Sequence, residues 1–105
     1  MKLPLEVECL TYPHDRMVII PEGSTSPDLE FSVSGLSFED VRYVELISNM
    51  TGRRRGDISD DRVIFSLEHN DTNETGKYKG VLRFTTEEGQ RVIAPTTGNI
   101  RFWVR

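Results

Sequence analysis

The chain has 105 residues, of which 36% are hydrophobic and 29% charged, with a formal net charge of −4. This length suits one domain with a two-layer core, and the apolar fraction excludes a disordered chain. The acidic balance argues against general binding to nucleic acid or to anionic membranes, because both need a basic footprint.

Cysteine content and the N-terminal residues bear on the compartment. Cys9 is the single cysteine, so no intramolecular disulfide can form. That favours a reducing cytoplasm, or a particle assembled there, over a secreted disulfide scaffold. The start of the chain contains no apolar region typical of a signal peptide, and the longest apolar run, 17–20, is far too short to span a membrane.

The first third of the chain contains three strand patterns. Residues 5–10 alternate between apolar and other side chains, which predicts a strand with Cys9 buried in the core as a small apolar group. The apolar run 17–20 predicts a short edge strand that Pro21 ends. After a loop rich in Gly, Ser and Pro, residues 29–34 alternate again and predict the next strand.

The middle of the chain is more polar. Residues 35–40 predict a connector with one helical turn capped by Ser37. Residues 41–49 predict a strand whose imperfect alternation is typical of partial cover on both faces. The charged segment from Thr51 to Asp61 is predicted to be a loop.

The last third contains the clearest alternation. Residues 63–67 and 78–84 read as two strands on either side of a polar corner, Asn70 to Gly76. A tight turn at 87–90 precedes a final strand, which starts at 91, is interrupted by Pro95 to Gly98 and resumes at 100–104. About seven short strands and no convincing helix predict an all-β sandwich of antiparallel strands.

The segment Glu74-Thr75-Gly76-Lys77-Tyr78 resembles the acidic-x-Gly-x-Tyr signature of immunoglobulin-like sandwiches. In that family the tyrosine hydroxyl bonds to backbone a few residues upstream, the tyrosine corner. The resemblance implies that Tyr78 and Gly76 form this corner. The family's second cysteine would fall at Gly80, so the usual inter-sheet disulfide is absent, and Phe31 is expected to fill its space.

The layout of residues 28–105 is also similar to small Ig-like domains of tailed-phage virion proteins. The matching pieces are Gly35-Leu36, Gly76-Lys77-Tyr78, Leu82-Arg83-Phe84, Glu88-Gly89 and Phe102-Trp103-Val104. This resemblance implies a baseplate, tail or capsid-decorating component located in the virion or the host cytoplasm. Its partners would be other virion subunits, with a homo-oligomer as one form. With an initiator Met and no linker, residues 1–105 are expected to be one complete domain.

No motif points to catalysis, a cofactor or a metal. His14 and His69 lie in different segments without ligand spacing, and the acidic group at 57–61 lacks the positions of a calcium loop. No nucleophile lies beside a plausible base. We therefore expect a protein that is not an enzyme and holds no cofactor.

The candidate partner-binding residues are aromatic and basic. Alternation in 100–104 places Trp103 on the outer face of the last strand with Arg101, and aromatic residues are enriched at interfaces. Arg53, Arg54 and Arg55 are further candidates for a polar contact. The prediction is a protein partner, with no nucleic acid and no membrane.

Two other functions stay open. Three glycosylation sequons, at Asn49, Asn70 and Asn73, and the tripeptide Arg55-Gly56-Asp57 would suit an extracellular adhesion or receptor-type Ig-like domain, although we expect a solvated loop at the tripeptide. The acidic balance would suit a small intracellular binding or inhibitory protein that acts on a basic target.

Overall fold

The structure, a computed structural model, describes residues 4–14 and 17–105. Its strands are β1 (Glu6–Cys9), β2 (Pro13–His14), β3 (Met17–Ile20), β4 (Leu29–Ser34), β5 (Val41–Ser48), β6 (Gly52–Arg55), β7 (Asp57–Ser59), β8 (Arg62–Phe65), β9 (Gly76–Thr86), β10 (Arg91–Ala94) and β11 (Ile100–Val104). A 3₁₀ turn covers Phe38–Asp40, and one helical turn, α1, covers His69–Thr72.

Two sheets pack face to face. The smaller sheet has the order β1-β4-β8-β7, and the larger has the order β2-β3-β11-β9-β5-β6, with β10 paired to the second half of β9. This is the strand order of an immunoglobulin-like β-sandwich, so the predicted fold class is confirmed. The number of strands is corrected, because the described residues form eleven rather than about seven. One pair also departs from the antiparallel prediction, since β11 runs parallel to β3.

The core lies between the sheets and is made by the alternating apolar residues. Phe31 and Phe65 are fully buried, and their rings meet edge to face with centroids 6.0 Å apart. Gly80 lies on the inner side of β9 against Ser48 of β5. A Cβ atom at Gly80 would be 2.5 Å from the Ser48 Cβ, which explains why this position holds no larger residue.

The segment predicted as a charged loop, 51–61, is mostly strand. β6 pairs with the edge of β5 and β7 pairs with β8, so the segment crosses from the larger sheet to the smaller one. The crossing point is Gly56, where an added Cβ would lie 2.5 Å from the Phe65 ring. The Arg-Gly-Asp tripeptide is therefore part of this crossing, which corrects the prediction of a solvated loop.

The polar corner contains a helical turn that the sequence prediction missed. α1 begins with a capping box, in which Glu68 and Asp71 each accept a hydrogen bond from the other's backbone N–H. The turn at Phe38–Asp40 is present as predicted, but the Ser37 side chain makes no capping hydrogen bond. Both differences concern single turns, which are too short to produce a helical hydrophobic period.

Cys9 differs from the prediction of a core thiol. It is half-buried at the margin of the core, and its Sγ donates a hydrogen bond to the Thr11 carbonyl oxygen at 2.6 Å. Burial is the main cause that raises the pKa of the Cys9 thiol above its ordinary value.

Candidate protein-binding face

The outer side of the larger sheet is rich in basic and apolar side chains. Alternation along each strand and pairing between strands decide which residues point away from the core. We call this surface the basic face, and it is made of Met17, Ile19, Tyr43, Glu45, Ile47, Arg53, Arg55, Lys77, Lys79, Val81, Arg83, Thr85, Arg91, Ile93, Arg101, Trp103 and, beside Trp103, Arg105.

Charge is strongly segregated between this face and the rest of the chain. The basic face holds eight Lys and Arg residues and one carboxylate, Glu45, a net charge of +7. The other residues that the structure describes hold three basic and fifteen acidic side chains, a net charge of −12. The basic face therefore has a local potential opposite in sign to that of the molecule as a whole.

Trp103 lies half-buried at one end of the basic face. The Lys77 Nζ is 5.2 Å from the centroid of its ring, and the Arg105 Cζ is 4.7 Å from the same centroid. Ile19 lies beside it as its partner across the parallel pair of strands. Cations at these distances are attracted to the ring, and their aliphatic stems cover part of it. The ring is thus held in place while part of it faces solvent.

A second aromatic contact lies at the other end, on β5 and β6. The Arg55 Cζ is 4.1 Å from the centroid of the Tyr43 ring. Between the two aromatic sites, Glu45 accepts a hydrogen bond from Arg83 Nη2 at 2.8 Å and lies 3.9 Å from Arg53 Nε. Glu45 therefore holds Arg83 by a hydrogen bond and partly compensates the charge of the exposed Arg53.

A shallow depression of about 330 Å³ opens where β9 and β11 pair. Its lining is made of Lys77, Lys79, Arg101, Asn49 and Asn99, together with Met17, Tyr78 and Phe102. The Asn49 side-chain oxygen accepts a hydrogen bond from the Lys79 backbone N–H at 2.9 Å. Three cations and two amides around one depression favour an anionic group, since all of them can donate hydrogen bonds.

Of the five residues predicted to bind a partner, four lie on the basic face and one does not. Arg53, Arg55, Arg101 and Trp103 all lie on the basic face. Arg54 points to the other side of β6, where its guanidinium binds Asp71, Glu68 and the Ser66 carbonyl oxygen. Arg54 therefore belongs to the packing between β6 and α1 and not to this face.

Tyr78 and Gly76 lie at the start of β9. The Tyr78 hydroxyl donates a hydrogen bond to the Glu74 carbonyl oxygen, four residues upstream, at 2.9 Å. This is the contact that defines a tyrosine corner. Gly76 has a φ of +154°, a conformation that residues with a side chain rarely adopt.

The sequence analysis did not predict several residues of the basic face as partner contacts, notably Lys77, Lys79, Arg83 and Arg91. The alternation in 77–85 already placed the first three on one side of a strand. What alternation alone did not reveal is that these cations join those of β6, β10 and β11 on one surface.

Two further features of the described residues concern metal binding and membrane insertion. Within residues 4–14 and 17–105, no group of three or more His, Cys, Asp or Glu side chains is placed to hold a metal ion. In the same part of the chain, no helix is long and apolar enough to cross a membrane.

No protein-family model matches this chain. No curated protein matches it either. Among solved structures, the chain is similar to one described as "Chimeric titin Z1Z2 functionalized with a KLER exogenous peptide from decorin", with 18% sequence identity, coverage of 97% of this chain and 88% of that chain, and a TM-score of 0.49. A likeness at this level says nothing about what this chain binds.

Proposed function

We propose that this protein is a non-enzymatic protein-binding module that uses the basic face to hold an acidic surface of a partner protein. The observation that carries the proposal is the collection of eight basic side chains, Trp103 and Tyr43 on one face of an acidic protein. Arg, Trp and Tyr are the residues most enriched among those that dominate binding energy at protein interfaces.

The arrangement of the basic face supports a preformed binding surface. Trp103 and Tyr43 are each stacked against a cation, so their rings lose little freedom when a partner covers them. Lys79 and Arg101 are exposed and can pair with carboxylates of the partner.

A protein partner suits this surface better than nucleic acid does. The net charge of −12 on the other described residues would repel a polyanion that extends past the edges of the face. An acidic patch on a protein is limited in size, so it can contact the basic face without reaching the acidic residues around that face. The charge distribution thus favours a compact anionic partner.

The finer proposal is that the chain is one domain over 1–105 and serves as a small virion component of a tailed phage. Its support is the sequence layout of residues 28–105. Mass spectrometry of purified particles and of infected-cell lysate tests it, because a virion component must be present in the particles. Glycan mass on Asn49, Asn70 or Asn73 would instead favour the extracellular adhesion domain, and presence in the lysate alone would favour the intracellular binding protein.

The binding proposal is tested by capture from an extract of the source with two matched variants. Arg101→Glu reverses an exposed charge on the basic face, and Arg62→Glu reverses an exposed charge on the other sheet. We expect wild type and Arg62→Glu to retain the same protein, and Arg101→Glu to lose it. Equal retention by all three proteins, with folding checked by circular dichroism, would overturn the proposal.

A further inference from the structure

The outer side of the smaller sheet has the opposite charge to the basic face. Pairing across β1, β4, β7 and β8 places Glu6, Glu8, Glu30 and Asp57 on this side, together with Arg62, which lies 3.0 Å from the Glu30 carboxylate. We call this surface the acidic face, and it holds four carboxylates against one cation. Serines at 32, 34 and 59 and the half-buried Ile64 lie between the charges.

We infer that the acidic face of one copy of this chain binds the basic face of a second copy. This inference rests on the proposed function, since it uses the same binding surface and names its partner. Attraction between faces of opposite charge accelerates association and selects the orientation. Two basic faces, or two acidic faces, would repel each other, so a symmetric dimer through either face is disfavoured.

The dimensions of the sandwich permit such a contact. The molecule measures 39 × 23 × 21 Å, so its broadest projection has an area of about 900 Å². A stable protein interface buries about 800 Å² on each partner. The acidic face is smaller than this projection, because it consists of four strands of three to six residues. The contact is therefore expected to be smaller and weaker than an ordinary interface.

The position of the two faces determines the form of the assembly. They lie on opposite sides of one sandwich, so a dimer still presents one free basic face on one copy and one free acidic face on the other. A contact of this kind is head-to-tail. It produces a filament unless the rotation between successive copies closes a ring. The assembly is expected to weaken as salt concentration rises, because exposed charges are screened.

Sedimentation velocity with two complementary variants tests the inference. In one variant, Lys79→Glu and Arg101→Glu reverse charges on the basic face; in the other, Glu6→Lys and Glu8→Lys reverse charges on the acidic face. All four side chains are exposed. Each variant alone is expected to be monomeric at concentrations where wild type assembles. An equimolar mixture is expected to form a heterodimer, because each variant retains one intact face.

A third variant controls for net charge. Glu39→Lys with Glu74→Lys changes the charge by the same amount as the acidic-face variant, at exposed positions in turns outside both faces. It should assemble as wild type does. A wild type that stays monomeric in low salt at every concentration would overturn the inference, as would a mixture that yields no heterodimer or a dimer that persists in both face variants. If this chain does not bind itself, the basic face can still bind another protein, and the capture experiment with Arg101→Glu measures that binding separately. The failure of this inference is therefore distinguishable from the failure of the proposed function.

Discussion

The guanidinium of Arg54 on β6 pairs with the carboxylate of Asp71 in α1. The Asp71 side chain is 5% exposed and also accepts the Glu68 backbone N–H at 2.7 Å, while Arg54 donates to the Ser66 carbonyl oxygen at 3.1 Å. The Arg54–Asp71 ion pair links β6, at the edge of the larger sheet, to the connection between β8 and β9. It also explains how β6 can hold a charged residue on its inward side, opposite Leu46.

Removing the cation of this pair should destabilise the fold strongly. Arg54→Ala leaves the Asp71 carboxylate buried without its cation, which costs about 3 to 5 kcal/mol in comparable buried pairs. Arg53→Ala is the matched control, because that side chain is 66% exposed and its ion pair is long, and exposed pairs contribute less than about 1 kcal/mol. Urea unfolding followed by Trp103 fluorescence measures both, and equal losses would show that Asp71 does not depend on Arg54.

Loss of the Tyr78 hydroxyl should have a smaller effect. Tyr78→Phe removes the hydrogen bond to the Glu74 carbonyl oxygen, and we expect a loss of about 1 kcal/mol in the free energy of unfolding, since the residue is only half-buried. Tyr43→Phe serves as the control, because its ring keeps the contact with Arg55. If the two substitutions have the same effect on urea unfolding, the corner hydrogen bond contributes nothing measurable.

Gly80 should not tolerate even a methyl group. An added Cβ would lie 2.5 Å from the Ser48 Cβ and 2.7 Å from the Ile47 carbonyl oxygen, and the latter belongs to backbone that cannot rotate away. Gly80→Ala is expected to destabilise by about 2 kcal/mol or more through overpacking, whereas Ser59→Ala at an exposed strand position should change stability by less than about 0.5 kcal/mol. Thermal unfolding of the two variants measures this, and an unchanged Tm for Gly80→Ala would contradict the packing described for β5 and β9.

The Cys9 thiol should react slowly at neutral pH. Burial raises its pKa, so the fold favours the neutral thiol and the reactive thiolate is scarce. The stabilisation from this group is present below the ordinary thiol pKa and is lost as pH rises through the raised pKa of the folded state. The pH at which alkylation by iodoacetamide accelerates should therefore be higher for folded protein than for protein in urea. Coincident profiles would contradict the effect of burial.

Much of the fold could be predicted because its strands bury every second side chain. The alternation in 29–34, 63–67 and 78–84 identified β4, β8 and β9. β6 and β7 were missed because edge strands form by backbone pairing, and Gly52–Arg55 has no apolar residue to alternate. The parallel contact of β3 with β11 joins segments far apart in the chain, which local patterns do not specify.

The basic face could be predicted only in part. Alternation placed Trp103 and Arg101 outward, but most of the other cations of this face come from β6, the first and second halves of β9, and β10. The net charge of −4 does not indicate that they share one surface, because all but one of the acidic residues that the structure describes lie outside this face. Only the strand order reveals that opposite charges occupy opposite faces.

Site-specific photo-crosslinking in the source cells tests the central claim, that a protein covers the basic face. Benzoylphenylalanine in place of Ile93 puts the probe on the basic face without removing a charge, because Ile93 is apolar and 44% exposed. The same probe in place of Asn73, which is exposed in the turn before β9, is the control. We predict a cross-linked product, with another protein or with a second copy, from position 93 and none above background from position 73. Cross-links from position 73 alone, or equally from both, would contradict the assignment of the basic face as the binding surface.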